Sequence, residues 1–457
     1  MSGNPTGPES GSPNPFPSSF LWGASTSAFQ IEGSPLADGA GPSNWYRFTH
    51  TPGRIRDDDN ADLACDHYHR FREDVNWLVR LGVRAYRFSL SWTRILPEGR
   101  GRVNPAGLAF YERLVDLLLE KGILPFVTVH HWDFPAALDD LGGWTSRDSA
   151  EWFADYAEVA FGALGDRVRH WVTINEPWVI MDGGYVHGVH APGLERPDLA
   201  PVVAHNLLRA HAKAVQRCRA QGAGSIGIVV NLEPKVAATP SEADALAARQ
   251  ADAYMNRIFL DPIFRGAYPE ELREVFGAHW PAFPGEDVAL IREPLDFVGV
   301  NYYTRGVTRY DESGVPVRAG HVTVPGSSYT DTGWEIHPNS FAHVLRWTQD
   351  RIGTLPIYVT ENGAAFPEPP TAAGEALEDP RRVEYYREHL RATRRAIEDG
   401  VRLHGYFAWS LMDNFEWSQG YARRFGLLHV DFASLKRTPK ASFHFYANVV
   451  RTNASEL

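Results

Sequence analysis

The sequence predicts an α/β fold, a single-domain (β/α)8 barrel with extended βα loops. Three observations lead there. Short apolar, β-branched runs alternate with longer helix-like segments through most of the 457 residues. Several of those runs are apolar throughout, as strands buried on both faces of a parallel sheet are. Polar and aromatic residues gather at the C-terminal ends of the runs, the end at which such barrels carry their sites.

The candidate strands are 20–24, 85–89, 124–130, 170–175, 225–231, 297–302, 357–360 and 405–410. Helix-like segments lie at 66–81, 106–121, 150–164, 201–220, 243–259, 339–352 and 381–398. This alternation favours a closed TIM barrel over an open doubly wound sheet. Connections are short except around 311–332 and 367–379, long enough to serve function or to move. Residues 1–15 are dense in Gly, Pro, Ser and Asn and lack the basic and apolar regions of a signal peptide, so they read as a disordered leader. The barrel domain is then 16–450, with 451–457 as a tail.

Composition excludes several partners. With 44% apolar and 22% charged residues the chain is an ordinary globular one. A net charge of −11 argues against nucleic acid and against an anionic membrane. No apolar run is long enough to span a bilayer. Cys65 and Cys218 form no CxxC motif and are expected to be free, buried thiols in a reducing cytoplasm. Gly222 to Gly227 match GxGxxG, but they follow a helix and precede a strand, the reverse of a dinucleotide site. Asp66, His67 and His69 resemble a metal cluster, yet the histidines occupy alternate helical positions that do not face each other, so no metal site is expected.

Two glutamates carry the functional reading. Glu176 ends the run 170–175 before Pro177, and Glu361 ends the run 357–360 before Gly363. Two carboxyl groups meeting at one face of a barrel are the minimum for acid and nucleophile in splitting a glycosidic bond. Other strand ends bring Gln30, Arg87, His131 with Trp132, Asn175, Asn301 with Tyr303, and Trp409, with Glu416 and Trp417 in the loop after the last strand. Sugars want that set: planar rings for the apolar face and forked polar groups for vicinal hydroxyls.

From residue 20 to about 446 the chain resembles the β-glucosidases of glycoside hydrolase family 1. The resemblance rests on Phe20-Leu21-Trp22-Gly23-Ala24, Gln30-Ile31-Glu32-Gly33, Thr173-Ile174-Asn175-Glu176-Pro177, Asn301-Tyr302-Tyr303-Thr304, Thr360-Glu361-Asn362-Gly363 and the run from Trp409 to Trp417. It implies a retaining exo-β-glucosidase that needs no cofactor, with Glu361 as nucleophile and Glu176 as acid and then base. Arg87 would lower the Glu361 pKa and Tyr303 would donate a hydrogen bond to it. The carboxyls of a retaining pair are expected roughly 5–5.5 Å apart. The resemblance further assigns Gln30, His131, Trp132, Asn175, Asn301, Tyr303, Trp409, Glu416, Trp417 and Phe425 to the substrate, and Trp178, His190 and Trp334 to the aglycone. Terminal β-glucosyl, β-galactosyl and β-fucosyl groups are all expected substrates, from aryl glycosides and short oligosaccharides, and transfer to an acceptor sugar stays open. A catalytically inactive sugar-binding protein on the same fold is the alternative. The expected protein is a cytoplasmic monomer or homodimer whose partner is a small β-glycoside.

Overall fold

The computed structural model describes residues 16–367 and 377–457. The expected leader 1–15, and most of the expected long loop 367–379, lie outside the described residues. Eight parallel strands close a barrel: β1 (Leu21–Ser25), β2 (Ala85–Ser89), β3 (Leu124–His130), β4 (His170–Asn175), β5 (Ser225–Asn231), β6 (Phe297–Asn301), β7 (Ile357–Asn362) and β8 (Leu403–Trp409). Each pairs with its neighbour in sequence, and β8 closes on β1 with Leu21 opposite Gly405. Helices pack outside, and His67–Leu81, Pro105–Glu120, Ser149–Leu164 and Ala200–Gln221 follow the sequence reading closely.

Inside the barrel one residue from every strand meets in a single apolar layer. Ala85, Phe126, Val172, Val229, Phe297 and Phe407 are buried there, with Leu21 and Tyr358 packed against them. The Phe126 ring centre lies 5.3, 5.4 and 5.1 Å from those of Phe297, Tyr358 and Phe407. Gly23 and Gly227 admit two of these rings: a Cβ on either would run into Phe407 or Phe297. This layer is the floor beneath the site. Phe126→Ala should cost about 3–5 kcal/mol, because neighbours held by backbone ladders cannot collapse into the void. A chemical denaturation midpoint well below the parent's would bear that out; an unchanged midpoint would contradict it.

The structure departs from the sequence reading in four places. The helix expected at 243–259 is Glu242–Asp252, then a π turn at Ala253–Arg257, then Ile258–Arg265, which runs on through Pro262. Short strands Lys235–Ala237, Gly306–Tyr310 and Ala319–His321 form a small sheet of their own, and Leu428–Asp431 pairs with Lys436–Pro439. Finally, 451–457 is tied down: Asn453 donates to the Phe16 carbonyl at 2.5 Å and accepts from Trp22 Nε1 at 2.9 Å. Cys65 and Cys218 are free and buried, and Gly222 to Gly224 link a helix to β5. His67 points to Asp74 at 2.8 Å and His69 to Asp66 at 2.6 Å, so the two rings serve separate carboxylates. Among the described residues no helix is long and apolar enough to cross a membrane.

Candidate active site

The C-terminal ends of the strands open into a cleft of about 630 Å³. Glu176, Trp132 and Trp417 line it, and all three have positive φ, at 47°, 77° and 50°. Non-glycine residues in that region cost about 1–3 kcal/mol each and persist only where the surroundings impose them. For Glu176 the imposition is local. The chain leaves β4 and enters the helix Pro177–Met181 at once, and the glutamate makes the turn.

Glu361 lies in the last turn of β7 rather than beyond it, where its carbonyl accepts from Tyr302 N at 3.1 Å. Its carboxylate is almost wholly buried. Oε1 accepts from Arg87 Nη1 at 2.5 Å and Oε2 from the Tyr303 hydroxyl at 2.7 Å. Arg87 is fully buried, and its other arm, Nη2, donates to Asn175 Oδ1 at 2.6 Å.

That second contact orients a chain of groups. With Oδ1 facing Arg87, Asn175 turns Nδ2 toward His131 Nε2, 3.2 Å away. Nε2 must therefore accept, and the ring proton sits on Nδ1. His131 Nδ1 is buried with no hydrogen-bond partner among the described residues. Burial, and then the Arg87 charge, hold the ring well below its usual pKa, so it is neutral. Asn301 is oriented likewise. Thr360 donates to its Oδ1 at 2.6 Å, and Nδ2 reaches Glu176 Oε1 at 2.8 Å and Asn175 Oδ1 at 3.1 Å.

The two glutamates are therefore in unlike surroundings. Burial raises the pKa of both. Glu176 goes up far, by burial and then by the Glu361 charge, with only the Asn301 bond and the more distant Arg87 opposing. Glu361 goes up less, because Arg87, Tyr303 and Asn301 all favour its anion. Arg87 lowers the Glu361 pKa as expected, by its charge and by its hydrogen bond, but desolvation is the larger influence and the net shift is upward. What Arg87 sets is the order: Glu361 ionises first and Glu176 keeps its proton.

Glu416 forms another wall, its carboxyl pushed up to about 8 by burial and then by the Glu361 charge. Gln30 holds it from behind. Ser27 donates to Gln30 Oε1 at 2.6 Å, and Nε2 serves Asn414 Oδ1, the Phe415 carbonyl and Glu416 Oε2 at 3.0, 2.9 and 3.4 Å. Trp132 Nε1 donates to the Asn175 carbonyl at 2.9 Å, and the His131 ring lies nearly parallel to those of Trp409 and Trp417. Trp409 and Phe425 pack with Tyr303 and Trp334.

Of the expected residues, Trp132, Glu176, Trp178, His190, Asn301, Tyr303, Trp334, Glu416 and Trp417 line the open cleft. Gln30, Arg87, His131, Asn175, Glu361, Trp409 and Phe425 lie buried beneath or behind it. The sequence reading passed over Asp182, Asn231, Glu233, Lys235, Met255 and Arg423, which also line it. Asn231 ends β5, the strand-end signal used everywhere else. Of the others, Glu233 and Arg423 sit on loops, Lys235 opens a three-residue strand, and Asp182 and Met255 lie in π turns, none of which a local pattern announces. Among the described residues no group of three or more His, Cys, Asp and Glu side chains could hold a metal ion.

Comparison with known proteins agrees with this geometry. Residues 12–455 match the pattern of glycosyl hydrolase family 1. The chain is 47% identical over 443 residues to beta-glucosidase A of Thermotoga maritima, covering 96% of this chain and 99% of that one. It is also 47% identical to a 1,4-beta-D-glucan glucohydrolase of Thermotoga neapolitana, covering 96% and 98%. The solved beta-glucosidase from Thermotoga maritima in complex with glucoimidazole superposes with a TM-score of 0.93 at 47% identity, over 96% of this chain and 99% of that one. A second structure of that enzyme, with galacto-hydroximolactam, gives 0.92 at 46% identity, with the same coverage.

Proposed function

The chain belongs to glycosyl hydrolase family 1, and from that premise we propose that it is a retaining β-glucosidase working by double displacement. The observation that carries the reading is the unlike pair of buried carboxyls. Glu361 is braced by Arg87 and Tyr303 as an anion, and Glu176 is held protonated by burial and by the Glu361 charge.

Glu361 attacks the anomeric carbon while Glu176 passes its proton to the leaving oxygen, giving a glycosyl-enzyme ester. The ester removes the charge that raised Glu176. Its pKa falls, and the carboxylate takes a proton from the water that attacks the same carbon. Asn175 has one Nδ2 hydrogen on His131 and offers the second to the sugar 2-hydroxyl. His131 Nδ1 and Glu416 take outer hydroxyls of the glycone, Trp409, Trp417 and Phe425 supply apolar faces, and Gln30 keeps Glu416 in place. Trp178, His190 and Trp334 face the aglycone.

The carboxyl group of Glu416 can hydrogen-bond a 4-hydroxyl of either orientation, so β-galactosides and β-fucosides join β-glucosides as substrates. The ligands named for the Thermotoga maritima enzyme, glucoimidazole and galacto-hydroximolactam, support this breadth. The test is turnover of aryl β-glucoside, β-galactoside and β-fucoside side by side. Release from the glucoside is expected, and no release from any would overturn the reading. Glu416→Ala removes two hydrogen bonds and leaves their hydroxyl partners unpaired in a buried site, which should lower kcat/KM by roughly 10- to 100-fold. The loss should be smaller for the fucoside, which lacks the 6-hydroxyl; equal loss on both would count against a 6-hydroxyl contact.

A further inference from the structure

Outside the barrel, the helices Glu242–Asp252 and Pro338–Ile352 leave a groove of about 420 Å³ between them, with the short strand Lys235–Ala237 contributing a third wall. That size is within the range of small-molecule sites. Among the described residues Lys235 alone lines both this groove and the catalytic cleft. The second helix lines it with Ser340, His343, Val344 and Trp347, the i, i+3, i+4, i+7 stripe with which a helix normally meets a neighbour. Here part of that stripe meets open space instead.

The polar groups on the wall are unevenly engaged. Asp252 is committed: Oδ1 accepts from Asn256 at 2.9 Å and Oδ2 from Arg257 Nε at 2.8 Å. Arg249 and His343 make no ion pair and no side-chain hydrogen bond among the described residues. Ser340 is only 8% exposed, yet its hydroxyl has no partner among the described residues either. It stands in the first turn of its helix, where the helix dipole favours negative charge. Beside these groups are the half-buried Trp347 and Val236, which is 42% exposed. Unpaired positive charge next to apolar surface suits a guest with one anionic head and a flat apolar body.

Two contacts lead from the groove to the cleft, and both end on Glu233, which lines the cleft. Lys235 Nζ holds its carboxylate at 2.5 Å. Asn256 holds its backbone, accepting from Glu233 N at 3.0 Å and donating to the Glu233 carbonyl at 2.9 Å. An anion in the groove competes for Lys235 and loosens the Glu233 carboxylate.

We propose that the groove is a second binding site, for a small amphiphilic anion whose carboxylate, sulfonate or phosphate head sits on Arg249 and Ser340 and whose ring lies against Trp347, and that its occupation acts on the cleft through Lys235 and Glu233. The binding is independent of the reaction; its effect on turnover rests on the β-glucosidase reading above.

The probe is naphthalene-2-sulfonate, with naphthalene-2-methanol as its uncharged counterpart, followed by isothermal titration calorimetry. The parent should bind the sulfonate saturably and about tenfold or more tighter than the alcohol, the scale of one charge-assisted hydrogen bond. Arg249→Glu should weaken the sulfonate by about tenfold or more and leave the alcohol within about twofold. Trp347→Ala should weaken both. On a β-linked disaccharide, saturating sulfonate should change kcat/KM about twofold or more in the parent and leave Arg249→Glu unaffected. No saturable binding, equal affinity for sulfonate and alcohol, or a sulfonate affinity that Arg249→Glu does not lower would overturn the site. No effect on turnover in the parent, or one that persists in Arg249→Glu, would overturn the link to the cleft. A parent that binds the sulfonate and hydrolyses no β-glycoside would instead strike the β-glucosidase reading.

Discussion

Glu361→Gly is expected to lower kcat on an aryl β-glucoside by roughly 10⁴-fold or more, the scale on which removal of a covalent nucleophile acts. No neighbour is placed to replace it: Glu176 acts on the leaving-group oxygen with its proton on, and Glu416 is held from behind by Gln30. The fold should survive, because Arg87 keeps Asn175 Oδ1 at 2.6 Å and the Thr360 carbonyl at 3.4 Å. A circular dichroism spectrum matching the parent's would establish that. Two further readouts separate loss of the nucleophile from collapse of the site. Azide, small enough for the vacated space, should restore turnover of an activated glucoside and give the α-glucosyl azide. The pKa of Glu176 should also fall, since the Glu361 charge is, after burial, the largest influence raising it. Removing that charge favours the Glu176 anion, so the shift is downward, the same change that glycosylation of Glu361 produces. Near-parental activity without azide would sink the nucleophile assignment.

Glu176→Ala should divide substrates by leaving group. A dinitrophenolate leaves without a proton, so attack by Glu361 on that glucoside should proceed at close to the parent rate. A sugar alkoxide needs the proton, and kcat/KM on a disaccharide should fall about 10²- to 10⁴-fold, the usual worth of general acid catalysis. Removal of the glycosyl group should slow as well, because no base remains to activate water. The activated glucoside should then show a burst of phenolate followed by a slow steady state. The pH profile carries a second mark. In the parent, activity falls at low pH as Glu361 takes up a proton and at high pH as Glu176 loses its own. In the variant the alkaline limb of kcat/KM should vanish and the acid limb remain. Equal losses on phenolate and sugar leaving groups would contradict the acid role.

The barrel was legible because its strands are coded locally. Runs such as Ile226 to Val230 are apolar and β-branched, and flanking glycines and prolines mark their ends. Boundaries slipped by one or two residues where that code is thin. The start of β8 falls at Leu403, ahead of the Gly405 that reads as a beginning, and β7 holds Glu361 inside the strand. The three short strands around Lys235 escaped notice since each is five residues or fewer, and Lys235–Ala237 finds its partner, Gly306–Tyr310, far off in sequence.

The site was legible at the level of which residues converge, because strand-end position is a one-dimensional property. How they are oriented was not. That Asn175 turns its oxygen to Arg87, and so places the proton of His131 on Nδ1, depends on contacts across 88 and 44 residues of sequence. The net balance at Glu361 was out of reach for the same reason. A cation at the right strand end could be read from the sequence, whereas the depth of burial opposing it could not.

The most direct test is proton NMR of an aryl β-glucoside during its first minutes with the protein. Double displacement through Glu361 and Glu176 predicts that β-glucose appears first and that the α-anomer grows in only by mutarotation. If α-glucose is the first product, water attacks the anomeric carbon directly, and the roles assigned to both glutamates are wrong.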